Sequence, residues 1–208
     1  VSEVHSNIRL FADDTSLYLI VEHPDSTAEH LNTDISKIMN WADTWLVSFN
    51  PTKTESLIIS RKQIKPIHPP LTMLNKPITT VTSHKHLGII LSNDCGWRTH
   101  IDYIKEKAWK RVNVMRKLKL ILDRKSLEII FTTFIRPVLE YADVVWENCS
   151  KMDKDELDKI QNEAARIVTG ASKLISLRNL YKEIGWESLE TRRNTHKLVL
   201  FYKMYHNI

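Results

Sequence analysis

The apolar residues of this chain change their period once, near residue 93, and no other feature narrows the fold as far. Up to that point they come in short, β-branched runs separated by polar turns, the pattern of strands. Beyond it they recur every three or four residues, the pattern of helices with one buried stripe. The two periods predict an α+β chain: antiparallel hairpins plus one long helix over residues 1–92, then an all-helical part over residues 93–208, with the boundary within 92–97. Composition agrees, because 42% apolar and 26% charged residues with only four Gly describe a folded, helix-leaning protein rather than a disordered one.

In the first part, residues 8–11 and 17–21 flank Ala12-Asp13-Asp14-Thr15-Ser16, which predicts two strands joined by a tight polar turn. Ser26-Thr27-Ala28-Glu29 has capping-box form, and Leu31, Ile35, Ile38, Ala42 and Trp45 follow at helical spacing, so a long amphipathic helix should end before Asn50-Pro51. Trp41 and Trp45 stand among its apolar positions and are expected in the core. Residues 56–60 read as a short strand and 61–70 as a basic, Pro-containing loop. Residues 71–74 and 78–81 form a second hairpin around Asn75-Lys76-Pro77, and 86–91 make one more strand.

In the second part, Ile101, Ile104, Ala108, Val112, Met115, Leu118 and Leu122 mark one helical stripe. Residues 127–141 continue the pattern until Pro137, which should kink or end that helix. Asp153 precedes a helix with Leu157, Ile160, Ala164, Ile167 and Val168 on one face, and Gly170 sits where a C-cap belongs. Residues 177–184 and 189–205 complete the series, separated by Gly185.

Net charge is +5, but ten Lys or Arg stand against three acids between Arg98 and Lys125, a local excess of seven. Such an excess suits a polyanionic partner, and equally a solvated helix face. Lys110 and Lys117 lie roughly opposite the apolar stripe. No apolar run approaches the roughly 20 residues of a membrane span, and residues 1–9 lack the layout of a signal peptide, so an intracellular protein without a membrane partner is expected. Cys95 and Cys149 are far apart and have no second Cys or His pair beside them, which argues against zinc or a disulfide framework.

The group with the most chemistry is the Asp13-Asp14 pair. Adjacent carboxylates repel unless a cation or a shared proton lies between them. Mg²⁺, which takes oxygen ligands and is commonly shared between carboxylates and substrate phosphates, is the natural relief. Asp is also a common turn residue, so the pair by itself leaves both readings open.

The surrounding residues form a recognisable series. Leu10-Phe11-Ala12-Asp13-Asp14-Thr15 resembles the aromatic-Ala-Asp-Asp box of reverse transcriptase palms. Trp41-Ala42-Asp43 with Trp45, then Asn50-Pro51-Thr52-Lys53-Thr54-Glu55, is similar to the palm helix and Lys-bearing segment of non-LTR retrotransposon polymerases. His84-Lys85-His86-Leu87-Gly88-Ile89-Ile90-Leu91 resembles their primer-grip hairpin, and Trp97, His100-Ile101 and Lys107-Ala108 resemble the start of their thumb. Ile135-Arg136-Pro137-Val138-Leu139-Glu140-Tyr141-Ala142 with Val145-Trp146, then Ile160-Gln161 and Ala164-Ala165-Arg166, resembles jockey-like elements, so the likeness covers nearly the whole chain.

The resemblance implies a carboxy-terminal piece of an RNA-directed DNA polymerase: a truncated palm at 1–92 and a helical thumb and tail at 93–208. It implies two-metal nucleotidyl transfer with Mg²⁺, or Mn²⁺ in its place, an RNA template, a DNA primer, deoxynucleoside triphosphates and a nuclear location. Asp13 would ligate metal and Asp14 support it. Lys53 would supply a proton or a charge to pyrophosphate, or is simply an exposed turn lysine. His86, Leu87 and Gly88 would form the primer grip, Gly88 being required either for close approach of the primer backbone or for a bulge. His84 and His86 would share one strand face. Lys107, Lys110, Arg111 and Lys117 would contact nucleic acid, giving affinity without sequence choice. In the family a further metal-binding Asp and a nucleotide-pocket segment lie upstream, so this chain alone is expected to be inactive. Two rivals remain: a remnant that binds nucleic acid without chemistry, and an unrelated helical interaction protein whose Asp pair is only a turn.

Overall fold

The computed structural model describes residues 4–64 and 66–208. The chain divides into two compact units, one reaching His86 and including Leu91–Cys95, the other made of Leu87–Ile90 and Gly96–Ile208.

The first unit opens with a hairpin, β1 (Asn7–Phe11) against β2 (Asp14–Tyr18), in antiparallel register from Asn7 opposite Tyr18 to Phe11 opposite Asp14. The turn is shorter than the sequence suggests: only Ala12 and Asp13 lie between the strands, with Ala12 at φ 51°, the left-handed conformation that two-residue hairpin turns use. Asp14, Thr15 and Ser16, expected in the turn, belong to β2.

Helix α1 (Pro24–Thr44) begins earlier than the capping box implied. Pro24 takes the first turn, where its missing N–H is no loss, and His23 is the N-cap residue, its carbonyl accepting from the Ser26 and Thr27 hydroxyls. Ile35 and Met39 on α1 pack with Met73 and Ile78 into a small core, against which Leu17, Phe49 and Leu71 rest. Trp41 and Trp45 are not part of it: they are 40% and 67% exposed and lie tilted against each other, ring centres 6.4 Å apart. A core of four residues does not reach that far around the helix or past its end.

β3 (Glu55–Leu57) pairs in parallel with β6 (Thr79–Val81), a pairing absent from the expected set of hairpins. β4 (Thr72–Met73) and β5 (Lys76–Pro77) form the second hairpin, but its turn is Leu74-Asn75, both left-handed at φ 50° and 58°, and not Asn75-Lys76-Pro77. The single strand expected over 86–91 is broken by a turn into β7 (Ser83–His86) and β8 (Ile89–Ser92), which form their own two-stranded sheet. Among the described residues every sheet has two strands.

In the second unit, α2 (Arg98–Leu118) buries Ile101, Ile104, Ala108, Val112 and Met115, the stripe read from the sequence, although it ends before Leu122. α3 (Arg124–Ile130) runs without a break through a π-helical segment, Phe131–Ile135, into α4 (Arg136–Glu140). Pro137 therefore does not end the helix: the wider turn before it, with the Arg136 N–H donating to the Phe131 carbonyl, accommodates the ring. α5 (Asp143–Trp146) is short, and α6 (Lys151–Thr169) starts two residues before Asp153, with the Ser150 hydroxyl accepting from the Asp153 N–H. Gly170 ends α6 at φ 74°, and α7 (Leu177–Ile184) and α8 (Leu189–His206) follow. The core joins α2 and α6 with Phe131, Ile135, Leu139, Trp146 and Leu180, all 1% exposed or less.

Candidate functional site

Asp13 is the second residue of the first turn and Asp14 the first of β2; both side chains are exposed. Neither makes an ion pair within the described residues; on the same ribbon the Arg9 guanidinium lies 5.6 Å from the Tyr18 ring. Two carboxylates at one tip supply the oxygen donors that Mg²⁺ prefers. Among the described residues no group of three or more His, Cys, Asp or Glu is placed to hold a metal ion.

The ribbon is fixed at its base by a residue that carries no sequence motif. Asp34, fully buried on α1, accepts from the backbone N–H groups of His5 (3.0 Å) and Ser6 (2.7 Å) and from the His5 ring. Burial pushes its carboxyl up, but those donors outweigh burial and hold it below the ordinary carboxylate range. The segment entering β1 is thereby tied to the long helix.

Lys53 stands exposed in a turn built by Asn50: its N–H donates to the Asn50 carbonyl (3.1 Å), and the Asn50 side chain accepts from the Thr52 N–H (3.0 Å). No hydrogen bond or ion pair within the described residues joins Lys53 to Asp13 or Asp14. His84 and His86 share a strand face as expected, ring centres 6.5 Å apart, and His84 Nδ1 lies 2.7 Å from a Glu55 carboxylate oxygen. Leu87 and Gly88 form the turn after β7, at φ 46° and 84°. A positive φ is costly for Leu and free for Gly, so conformation alone gives Gly88 a reason to be there.

The basic helix α2 divides into two faces. Arg98, Lys105 and Arg116 turn toward α6 and pair with its Asp153, Glu156 and Glu163. Arg111, half-buried, donates to the Phe134 carbonyl within the π-helical segment, where the wider turn alters the usual bonding. What is left outward is a ridge of Lys107, Lys110 and Lys117, of which Lys110 has an exposed partner in Glu106 and Lys107 lies 5.9 Å from the Tyr103 ring. The acids that neutralise the other face lie some fifty residues onward, which is why the local charge count overstates the free positive surface.

Over 192 residues the chain is 21% identical to a probable RNA-directed DNA polymerase from transposon BS of Drosophila melanogaster, covering 89% of the chain. The chain resembles transposon RNA-directed DNA polymerases. The likeness recurs with a probable RNA-directed DNA polymerase from the X-element of the same fly, 21% identical over 92% of the chain, and with the RNA-directed DNA polymerase from mobile element jockey of Drosophila funebris, 27% identical over 79%. The chain spans 21%, 21% and 18% of these three polymerases, about a fifth of each. No family model matches the chain, and no solved structure does. No helix among the described residues is long and apolar enough to cross a membrane.

Proposed function

We propose that this chain is part of an RNA-directed DNA polymerase of a jockey-like non-LTR retrotransposon, residues 1–92 belonging to the palm and residues 93–208 to the thumb and tail. The observation that carries the reading is the exposed Asp13-Asp14 pair on a two-residue hairpin turn, in a chain that matches such polymerases over most of its length. Asp13 and Asp14 would supply oxygen ligands to Mg²⁺, or to Mn²⁺ in its place, which in a two-metal polymerase neutralises the charge that develops as a primer hydroxyl attacks a nucleotide phosphate. Lys53, on its exposed turn, is free to meet the departing pyrophosphate. The Leu87-Gly88 turn would lie against the primer, with His86 beside it. Lys107, Lys110 and Lys117 would track phosphates of the template–primer duplex, a contact that carries no sequence preference. Arg111 belongs to that surface less than they do, because its guanidinium is engaged by a carbonyl.

In a longer polymerase that includes this segment, Asp13→Asn should lower primer extension on an RNA template about a hundredfold or more, measured against a variant such as Lys62→Gln in the exposed loop. Undiminished extension by Asp13→Asn would remove the site from this turn. The second reading, nucleic-acid binding without chemistry, is favoured by the outward ridge of Lys107, Lys110 and Lys117, which can hold phosphates with no metal present. On that account the 208-residue chain binds primed RNA but does not extend it.

A further inference from the structure

Leu87 does not choose the left-handed region by itself; side chains with a Cβ avoid it, and leucine has no polar group to stabilise it locally. The two-residue turn of the β7–β8 hairpin calls for that conformation, and contacts from outside the turn can hold it there. Two side chains of the helical unit do so. The Tyr141 hydroxyl donates to the Leu87 carbonyl at 2.8 Å, and a Cβ placed on Gly88 would come within 3.0 Å of the Tyr141 ring. Two residues further on, the Ile90 N–H donates to His100 Nδ1 at 3.3 Å. His100 is 1% exposed, set against Trp97, Tyr103 and Trp146, and burial pushes it toward the neutral form that can accept at Nδ1.

Tyr141 is itself fixed from behind. It closes α4, its N–H donating to the Pro137 carbonyl, and the chain then leaves the helix through Ala142 at φ 50°. Its carbonyl accepts from the indole N–H of Trp146 (3.0 Å), a side chain with no exposure at all. The ring, 55% exposed, is therefore a firm post at the edge of the core.

We infer that Tyr141 is the positioning residue of the Leu87-Gly88 turn: its hydroxyl fixes the Leu87 carbonyl, its ring occupies the space that only a glycine at 88 leaves open, and the turn's backbone is thereby set from the helical side. The importance of this for primer binding rests on the proposed reading of that turn as a primer contact.

Tyr141→Phe in the 208-residue chain keeps the ring and removes the hydroxyl, so the fold is retained. Amide hydrogen exchange at Ile90 should speed up about tenfold, the loss of roughly one net hydrogen bond, while Ala164 in α6 is unchanged. Unchanged exchange at Ile90 overturns the inference. In parallel, fluorescence anisotropy compares a recessed primer end on RNA with a blunt duplex of equal length. Tyr141→Phe should lower the preference for the recessed end severalfold and leave blunt-duplex affinity unaltered. Faster exchange with an unaltered preference upholds Tyr141 as the turn's support and removes the turn from the primer.

Discussion

At the residue scale, the side chain that does most to place the acidic turn is one no motif marks. Asp34 satisfies two backbone N–H groups that precede β1 by way of a contact 28 and 29 residues distant in sequence. Asp34→Ala takes the acceptor from both N–H groups and leaves that of buried Ser6 without one, which should cost roughly 1–3 kcal/mol by thermal or urea denaturation. The pH dependence has a definite sign. Because the folded carboxyl titrates lower than an unfolded one, its contribution is present above the ordinary carboxylate range and is lost as pH falls through the folded value. Wild type should therefore lose more stability than Asp34→Ala on acidification from neutral pH toward pH 3; parallel curves would refute the assignment. Asp34 was illegible in the sequence because its need arises from tertiary contact. Trp41 and Trp45 misled for the opposite reason, since helical spacing gives an angle around the helix but not how far the core extends to meet it.

At the element scale, helix positions were well marked and turns were not. The stripes of α2 and α6 are buried where periodicity put them, and Gly170 and Gly185 end their helices in the left-handed conformation. The turns at Leu74-Asn75 and Leu87-Gly88 escaped because leucine is not a turn residue, and it is the two-residue hairpin that calls for its positive φ. The excess of positive charge on α2 was legible as a number, whereas its division into a paired and an outward face needs the position of α6. This division is testable by salt titration of duplex binding. Replacing Lys107, Lys110 and Lys117 together by Gln should reduce the slope of log affinity against log salt by up to about three. Arg98→Gln with Arg116→Gln should leave the slope alone and instead lower the melting temperature, because those charges already serve α6. An equal loss of slope in both variants would mean the two faces are not distinct.

At the scale of the whole molecule, the apolar interior is divided unequally. Among the described residues the second unit gathers twenty-one buried residues into one cluster, and the first has a cluster of four. Hydrophobic burial is the main favourable term in folding, so the two units should differ in local stability. Native-state hydrogen exchange should find α6 the most protected element, with amides of β1 and β2 exchanging at least about a hundredfold faster through openings that leave α2 and α6 intact. Equal protection throughout would show that the chain opens only as a whole. The period change near residue 93 revealed that two kinds of structure are present; the parallel β3–β6 pair did not show, because strand direction depends on a partner and short apolar runs do not name one.

The ribbon that ends in Asp13 is only two strands wide, and within the described residues each strand has one side left without a neighbour. Every such margin is a row of unsatisfied amide and carbonyl groups, indifferent to which side chains arrive with the next backbone. The surroundings of the acidic tip can thus be enlarged by zipping on an extended segment, with no rearrangement of the tip and little demand on the newcomer's sequence.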